Sequence, residues 1–193
     1  TNADLHFGLE LCRLAGWNQT PEDWARFLAL EQEGCFVAER DGRPAGTACV
    51  FTFGSVSCVA IVLVHPEQRG GGIGTTMMKH AIDWADARGI TSLRLAATAL
   101  GRPIYEKLGF TADYTLARYE GVPTMPDRDA YKAAQRVEPE DLQKCITLDT
   151  AANATDRTGI ISPLLREPHA ARVTRDGAGN VTGFAAWRAG HHA

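Results

Sequence analysis

Apolar residues recur at helical spacing in two stretches near the start of the chain: Leu5, Leu9, Leu11 and Leu14, and then Trp24, Phe27, Leu28 and Leu30 after the Thr20-Pro21 pair. Proline suits the first turn of a helix, where its missing N–H forfeits nothing, so the second helix is predicted to start at Pro21 with Thr20 as its cap. Two apolar runs, Cys35 to Arg40 and Ala45 to Phe53, flank Asp41-Gly42-Arg43-Pro44, and turn chemistry between strand-like runs predicts a β-hairpin. Gly54-Ser55 leads into a further strand ending Ile61-Val62-Leu63-Val64. It stops at His65-Pro66, because Pro66 donates no ladder hydrogen bond and holds His65 out of the helical region. Ile73, Met77, Ala81 and Ala85 then recur every four residues beside Met78 and Ile82, so a helix with one apolar face is expected as far as Arg88. A strand from Ser92 to Ala97, a short helix stopped by Gly109, and a closing strand from about Phe110 to Tyr119 complete this series.

Between the third strand and its helix lies Arg69-Gly70-Gly71-Gly72-Ile73-Gly74-Thr75. A helix that begins among glycines aims its free N–H groups and positive dipole end at the loop, and Gly70, Gly71, Gly72 and Gly74 have no Cβ to hold an anion away. The loop is not a P-loop, since no Lys-Ser/Thr pair closes it. It also fits a dinucleotide fingerprint poorly: Thr75 and Met77 stand where the last glycine belongs, and the strand near Ser92 to Ala97 lacks the ribose-binding acid.

The run Arg69 to Gly74 matches, residue for residue, an Arg/Gln-x-x-Gly-x-Gly/Ala pattern placed after a strand and a proline. Ile104-Tyr105-Glu106-Lys107-Leu108-Gly109-Phe110 matches a Tyr-x-Lys-x-Gly-Phe helix ending. On these two segments the chain resembles the GNAT superfamily of acyl-CoA-dependent N-acyltransferases. The resemblance implies an α/β (α+β) GNAT fold, a mixed, mostly antiparallel twisted sheet flanked by helices. It implies acetyl-CoA as acyl donor, with the pantetheine arm along Leu63 and Val64 and the pyrophosphate on Arg69, Gly70, Gly71, Gly72, Ile73, Gly74 and Thr75. The implied reaction is direct attack of a primary amine on the thioester through a tetrahedral oxyanion that a strand N–H near Val64 stabilises, with Tyr105 protonating the departing thiolate. The acceptor implied is a small molecule or an amino acid, over Leu14 to Trp24, with Trp17 and Trp24 either lining its pocket or packing in the core. The general base is left unassigned among Glu10, Glu22, Asp23 and Glu31, and an acyl-enzyme route through Cys58 is disfavoured by its apolar surroundings. The competing reading is a non-catalytic acyl-CoA-binding or sensing module.

The remaining composition narrows the class further. With 193 residues, 45% of them apolar, the chain can fill a proper core, and a net charge of -3 without a basic run argues against nucleic acid as a partner. No apolar stretch is long enough to cross a bilayer and Thr1 to Leu5 is no signal sequence, so no membrane partner and a cytoplasmic location are expected. Cys12, Cys35, Cys49, Cys58 and Cys145 read as reduced core thiols, His191-His192 as exposed chain, and no metal is expected. Gly121 to Arg128, with two prolines, punctuates the chain, so residues 1–120 are expected as one acetyltransferase domain and 121–136 as a linker. From 137, Leu142, Leu148, Ala152, Leu165 and Gly183 repeat Leu5, Leu11, Ala15, Leu28 and Gly46 at one offset, predicting that 137–193 form a partial, degenerate second GNAT-like unit, a tandem repeat. A homodimer is left open.

Overall fold

The first two helices form where the apolar spacing predicts them, α1 (Leu5–Leu14) and α2 (Pro21–Glu31). Thr20 and Asp23 cap α2 reciprocally: the Asp23 N–H donates to Thr20 Oγ1 at 3.4 Å and the Thr20 N–H to Asp23 Oδ2 at 2.9 Å, satisfying two donors the helix cannot. α1 can approach α2 closely because Gly8 has no side chain; a Cβ there would collide with the Trp24 indole. This is a computed structural model, describing residues 2–117, 119, 121, 134–167 and 171–190. Contacts gather into two units, residues 1–116 with 190–193, and residues 117–189.

In the first unit, β1 (Cys35–Arg40) and β2 (Arg43–Phe53) form the hairpin. Its turn is shorter than expected, only Asp41 and Gly42 at φ 52° and 70°, a two-residue geometry whose twist matches the strands. Pro44 is absorbed into β2 by a register shift opposite Ala38 and Glu39. β3 (Val56–Val64) pairs antiparallel with β2 and β4 (Ser92–Leu95) parallel with β3, giving a mixed sheet in the order β1-β2-β3-β4. β2 is buried on both faces. Val50 packs with Met78, Ala81 and Trp84 of α3 (Ile73–Asp86), while Phe51 meets Phe27 of α2 at 5.2 Å between ring centroids, so helices cover the sheet on either side.

The closing strand expected from Phe110 to Tyr119 does not form among its described residues. The Phe110 N–H closes α4 (Arg102–Lys107) on the Tyr105 carbonyl at 3.1 Å, and beyond it Tyr114, Leu116 and Tyr119 are 74%, 65% and 91% exposed. Alternating apolar residues become a strand only where a neighbouring edge accepts their backbone groups, and β4 is just 4 residues long. The linker expected over 121–136 lies mostly outside the described residues, and its end is a strand, β5 (Gln135–Arg136). His191-His192 lie outside them too.

The second unit continues with α5 (Leu142–Asn153), α6 (Thr158–Arg166), β6 (Ala171–Arg175) and β7 (Val181–Ala186), with antiparallel strand order β5-β6-β7. Cys145, Leu165, Ala171 and Val173 form its core. Asp141, fully buried, accepts from Arg175 Nη2 at 2.5 Å and from the Glu138 N–H at 3.1 Å. Burial pushes its carboxyl up, but Arg175 and the Glu138 N–H outweigh burial and hold it below the usual carboxylate range. A depressed carboxyl stabilises the fold above the unfolded-chain value of about 4 and loses that contribution as pH falls through the lower folded value. Asp141→Asn is expected to melt roughly 4–8 °C lower at pH 7, and the gap should close on acidification towards pH 3. A gap constant from neutral to acid pH in calorimetric melts would remove the charge as its cause.

Among the described residues, no helix is long and apolar enough to cross a membrane, and no group of three His, Cys, Asp or Glu side chains is placed to hold a metal ion.

Candidate active site

The sheet opens at an irregularity in β3. Thr47 pairs with Leu63 and Cys49 with Ala60, so the single residue Ala48 of β2 spans both Ile61 and Val62, a β-bulge. Ile61 takes φ 52°, a region that β-branched residues rarely adopt, and the buried Thr47 hydroxyl donates to its carbonyl at 3.0 Å. β4 pairs only with Val56 to Val59, so the β3 edge beyond is left unpaired among the described residues. The His65 N–H donates to Ala45 of β2 at 2.9 Å. Because successive strand amides alternate in direction, Leu63 also addresses β2, whereas the N–H groups of Val62 and Val64 face the open edge. The strand and the β4–α4 connection part around a cavity of about 730 Å³.

The glycine loop sits at the end of that edge. After one 3-10 turn (Pro66–Gln68), Gly70 and Gly72 take φ 81° and 79°, left-handed conformations that glycine adopts without a side-chain clash. Gly72 is the N-cap of α3, and the Thr76 N–H already closes on its carbonyl at 3.0 Å. The N–H groups of Ile73, Gly74 and Thr75 therefore have no acceptor within the helix and stand at its positive end. Arg69 Nε donates to the Val64 carbonyl at 3.2 Å, which fastens the loop to the strand. Leu63, Val64, Arg69, Gly70, Gly72, Ile73, Gly74 and Thr75 all line the cavity.

Gly71 does not. Its carbonyl accepts from Arg40 Nη2 at 3.3 Å, Arg40 Nη1 reaches Gln68 Oε1 at 3.5 Å, and a Cβ on Gly71 would run into the guanidinium. Arg40 thus braces the loop from β1, far away in the chain. A row of free N–H donors at a helix start, continuous with an unpaired strand edge, fits a pyrophosphate joined to an amide-bearing arm.

Tyr105 enters the cavity from α4, its ring packed among Val50, Val59 and Met78 and only 9% exposed. Gly101 leaves room for it, since a Cβ there would lie 2.9 Å from the phenol oxygen. Burial pushes the phenol above its ordinary value, so Tyr105 holds its proton throughout the neutral range. Trp17 lines the cavity, whereas Trp24 is in the core. None of the candidate bases is on the wall: Glu10, Glu22 and Glu31 are elsewhere, and Asp23 is committed to its cap and to Arg26 at 2.9 Å. Cys58 is off the wall as well.

The family model described as "Acetyltransferase (GNAT) family" matches residues 7–110, more than half the chain. The chain belongs to the GNAT acetyltransferase family. Among relatives, the Bacillus subtilis protein named uncharacterized N-acetyltransferase YitH is 28% identical to this GNAT chain over 181 residues, covering 91% of it and 62% of the relative. A Pyrococcus horikoshii protein assigned to the acetyltransferases superposes with TM-score 0.68 at 20% identity, over 90% of this chain and 61% of that one. A predicted acetyltransferase from Clostridium acetobutylicum, crystallised with acetyl-CoA, superposes with TM-score 0.50 at 21% identity, over 62% of this chain and 92% of that one. This GNAT chain therefore spans less than two thirds of the B. subtilis relative's length. Its mixed, helix-flanked sheet is the GNAT fold.

Proposed function

We propose that the chain is an acetyl-CoA-dependent N-acetyltransferase acting on a primary amine of a small molecule or an amino acid. The observation that carries this reading is that one cavity joins the N–H cradle at Gly72 to Thr75, the unpaired β3 edge and the Tyr105 phenol. Bound acetyl-CoA supplies an activated acetyl thioester, which an amine attacks directly through a tetrahedral oxyanion before the thiolate departs. The N–H donors of Ile73, Gly74 and Thr75, with Arg69, hold the pyrophosphate, and the free amides of Val62 and Val64 hold the arm. One of these two strand amides also stabilises the oxyanion; Tyr105 delivers a proton to sulfur as the C–S bond breaks, and the proton shed by the attacking nitrogen passes to water, which reprotonates the phenol. Leu63, with its amide turned to β2, contributes wall rather than a hydrogen bond to the arm.

The first unit carries this chemistry. A tandem arrangement is supported by the repeated order of elements: α5 begins at Leu142 and α6 at Thr158, each 137 residues after α1 at Leu5 and α2 at Pro21, and a hairpin follows in both units. On this reading residues 1–120 are the acetyltransferase and 137–193 part of a second unit. Free thiol released from acetyl-CoA across a panel of primary amines tests the function. Amine-dependent release is expected; tight acetyl-CoA binding without it would favour a sensing module.

A further inference from the structure

Away from the cradle, the cavity wall is apolar and reaches solvent. The α1–α2 turn supplies Leu14, Ala15 and a half-buried Trp17, and the β4–α4 connection supplies Leu95, Thr98 and Leu100. Leu14 and Leu100 are 38% and 70% exposed, two large hydrophobic side chains held in water around one opening. Exposed aliphatic groups beside an indole at a cavity mouth mark a site that accepts apolar surface. Charge on the wall is sparse. Among the described residues its titratable side chains are Arg69, already bonded to the Val64 carbonyl beside the anion cradle, and Tyr105.

A second ammonium group on an acceptor thus meets no carboxylate on this wall, and the carboxylate of an amino acid competes with pyrophosphate for Arg69. An aromatic or aliphatic substituent suits the apolar wall to which Leu14, Trp17 and Leu100 contribute. Resting on the acetyl-transfer reading, we infer that the acceptor is a primary monoamine with an aromatic or aliphatic body, rather than a polyamine or an amino acid.

The test compares 2-phenylethylamine, hexylamine, ethanolamine, glycine and spermidine, with thiol release as the readout of transfer. Calorimetry on the full chain, with and without coenzyme A, reads amine binding independently, and the part of any tryptophan fluorescence change that Trp17→Ala abolishes belongs to Trp17 among the four indoles. The two apolar amines are expected to exceed the polar ones by at least about tenfold in kcat/KM. Trp17→Ala and Leu100→Ser should each cut the phenylethylamine-to-ethanolamine ratio by about tenfold, through KM rather than kcat. Leu100 is exposed, so its variant separates recognition from folding. A flat or reversed preference, or variants that slow all amines equally, overturns the inference. If no amine is acetylated but the apolar amines alone bind, the transfer reading falls and the recognition stands. If transfer occurs with spermidine or glycine preferred, recognition falls and transfer stands.

Discussion

Tyr105→Phe is expected to lower kcat by about 10²–10⁴-fold with the acetyl-CoA dissociation constant unchanged. The substitution removes one oxygen and leaves the ring among Val50, Val59 and Met78, so the core around α4 keeps its packing. Burial raises the phenol's pKa, which keeps the proton on Tyr105 through the neutral range. An ordinary thiol titrates lower, at about 8.5, so in the proposed mechanism the proton moves to sulfur only as the C–S bond breaks and negative charge builds there. On that mechanism the acid acts only as sulfur leaves, so its loss belongs in kcat and not in the binding of the thioester. Steady-state kinetics with a saturating amine, alongside calorimetric titration of acetyl-CoA, separates the two quantities. Wild-type turnover in the variant would take Tyr105 out of the reaction.

Gly72→Val is expected to weaken acetyl-CoA binding by roughly ten- to a hundredfold. At φ 79° a β-branched residue is strained, and relief of that strain must move the N-cap of α3. The free amides of Ile73, Gly74 and Thr75 would then swing away from their common target. Gly89 provides the control, at φ 70° with open space around it and off the cavity wall. Gly89→Val should cost similar thermal stability and leave affinity intact. Equal losses of affinity in both variants would reduce Gly72 to a folding role.

Much of this arrangement is legible in the residues alone, for identifiable reasons. α1 to α3 follow apolar spacing, and the cradle follows from glycines between a proline-stopped strand and an amphipathic helix. Such signals are local. The bulge is not local: Ile61 has strong strand preference, yet adopts φ 52° beside a Thr47 hydroxyl that comes from another strand. Arg40 reads as an ordinary surface cation at a hairpin end, and only the fold brings it to Gly71. Phe110 to Tyr119 alternates as a strand should, but strand formation depends on a partner edge that no single segment encodes. Asp23 offered itself as a base candidate because a capping carboxylate and a catalytic one look alike in sequence. Its burial beside Thr20 and Arg26 decides between them.

The edge of β3 past its bulge has a consequence for how the folded molecule behaves in a cell. On the proposed reading, two amides that no described strand pairs await a ligand's carbonyls, so a metabolite completes the architecture at that edge. Resistance to unfolding then tracks the local supply of that metabolite, rising by about 1.4 kcal/mol for each tenfold excess over its dissociation constant. Exchange of deuterium into Val62 and Val64 would report that supply directly, turning two backbone protons into a gauge of the thioester pool.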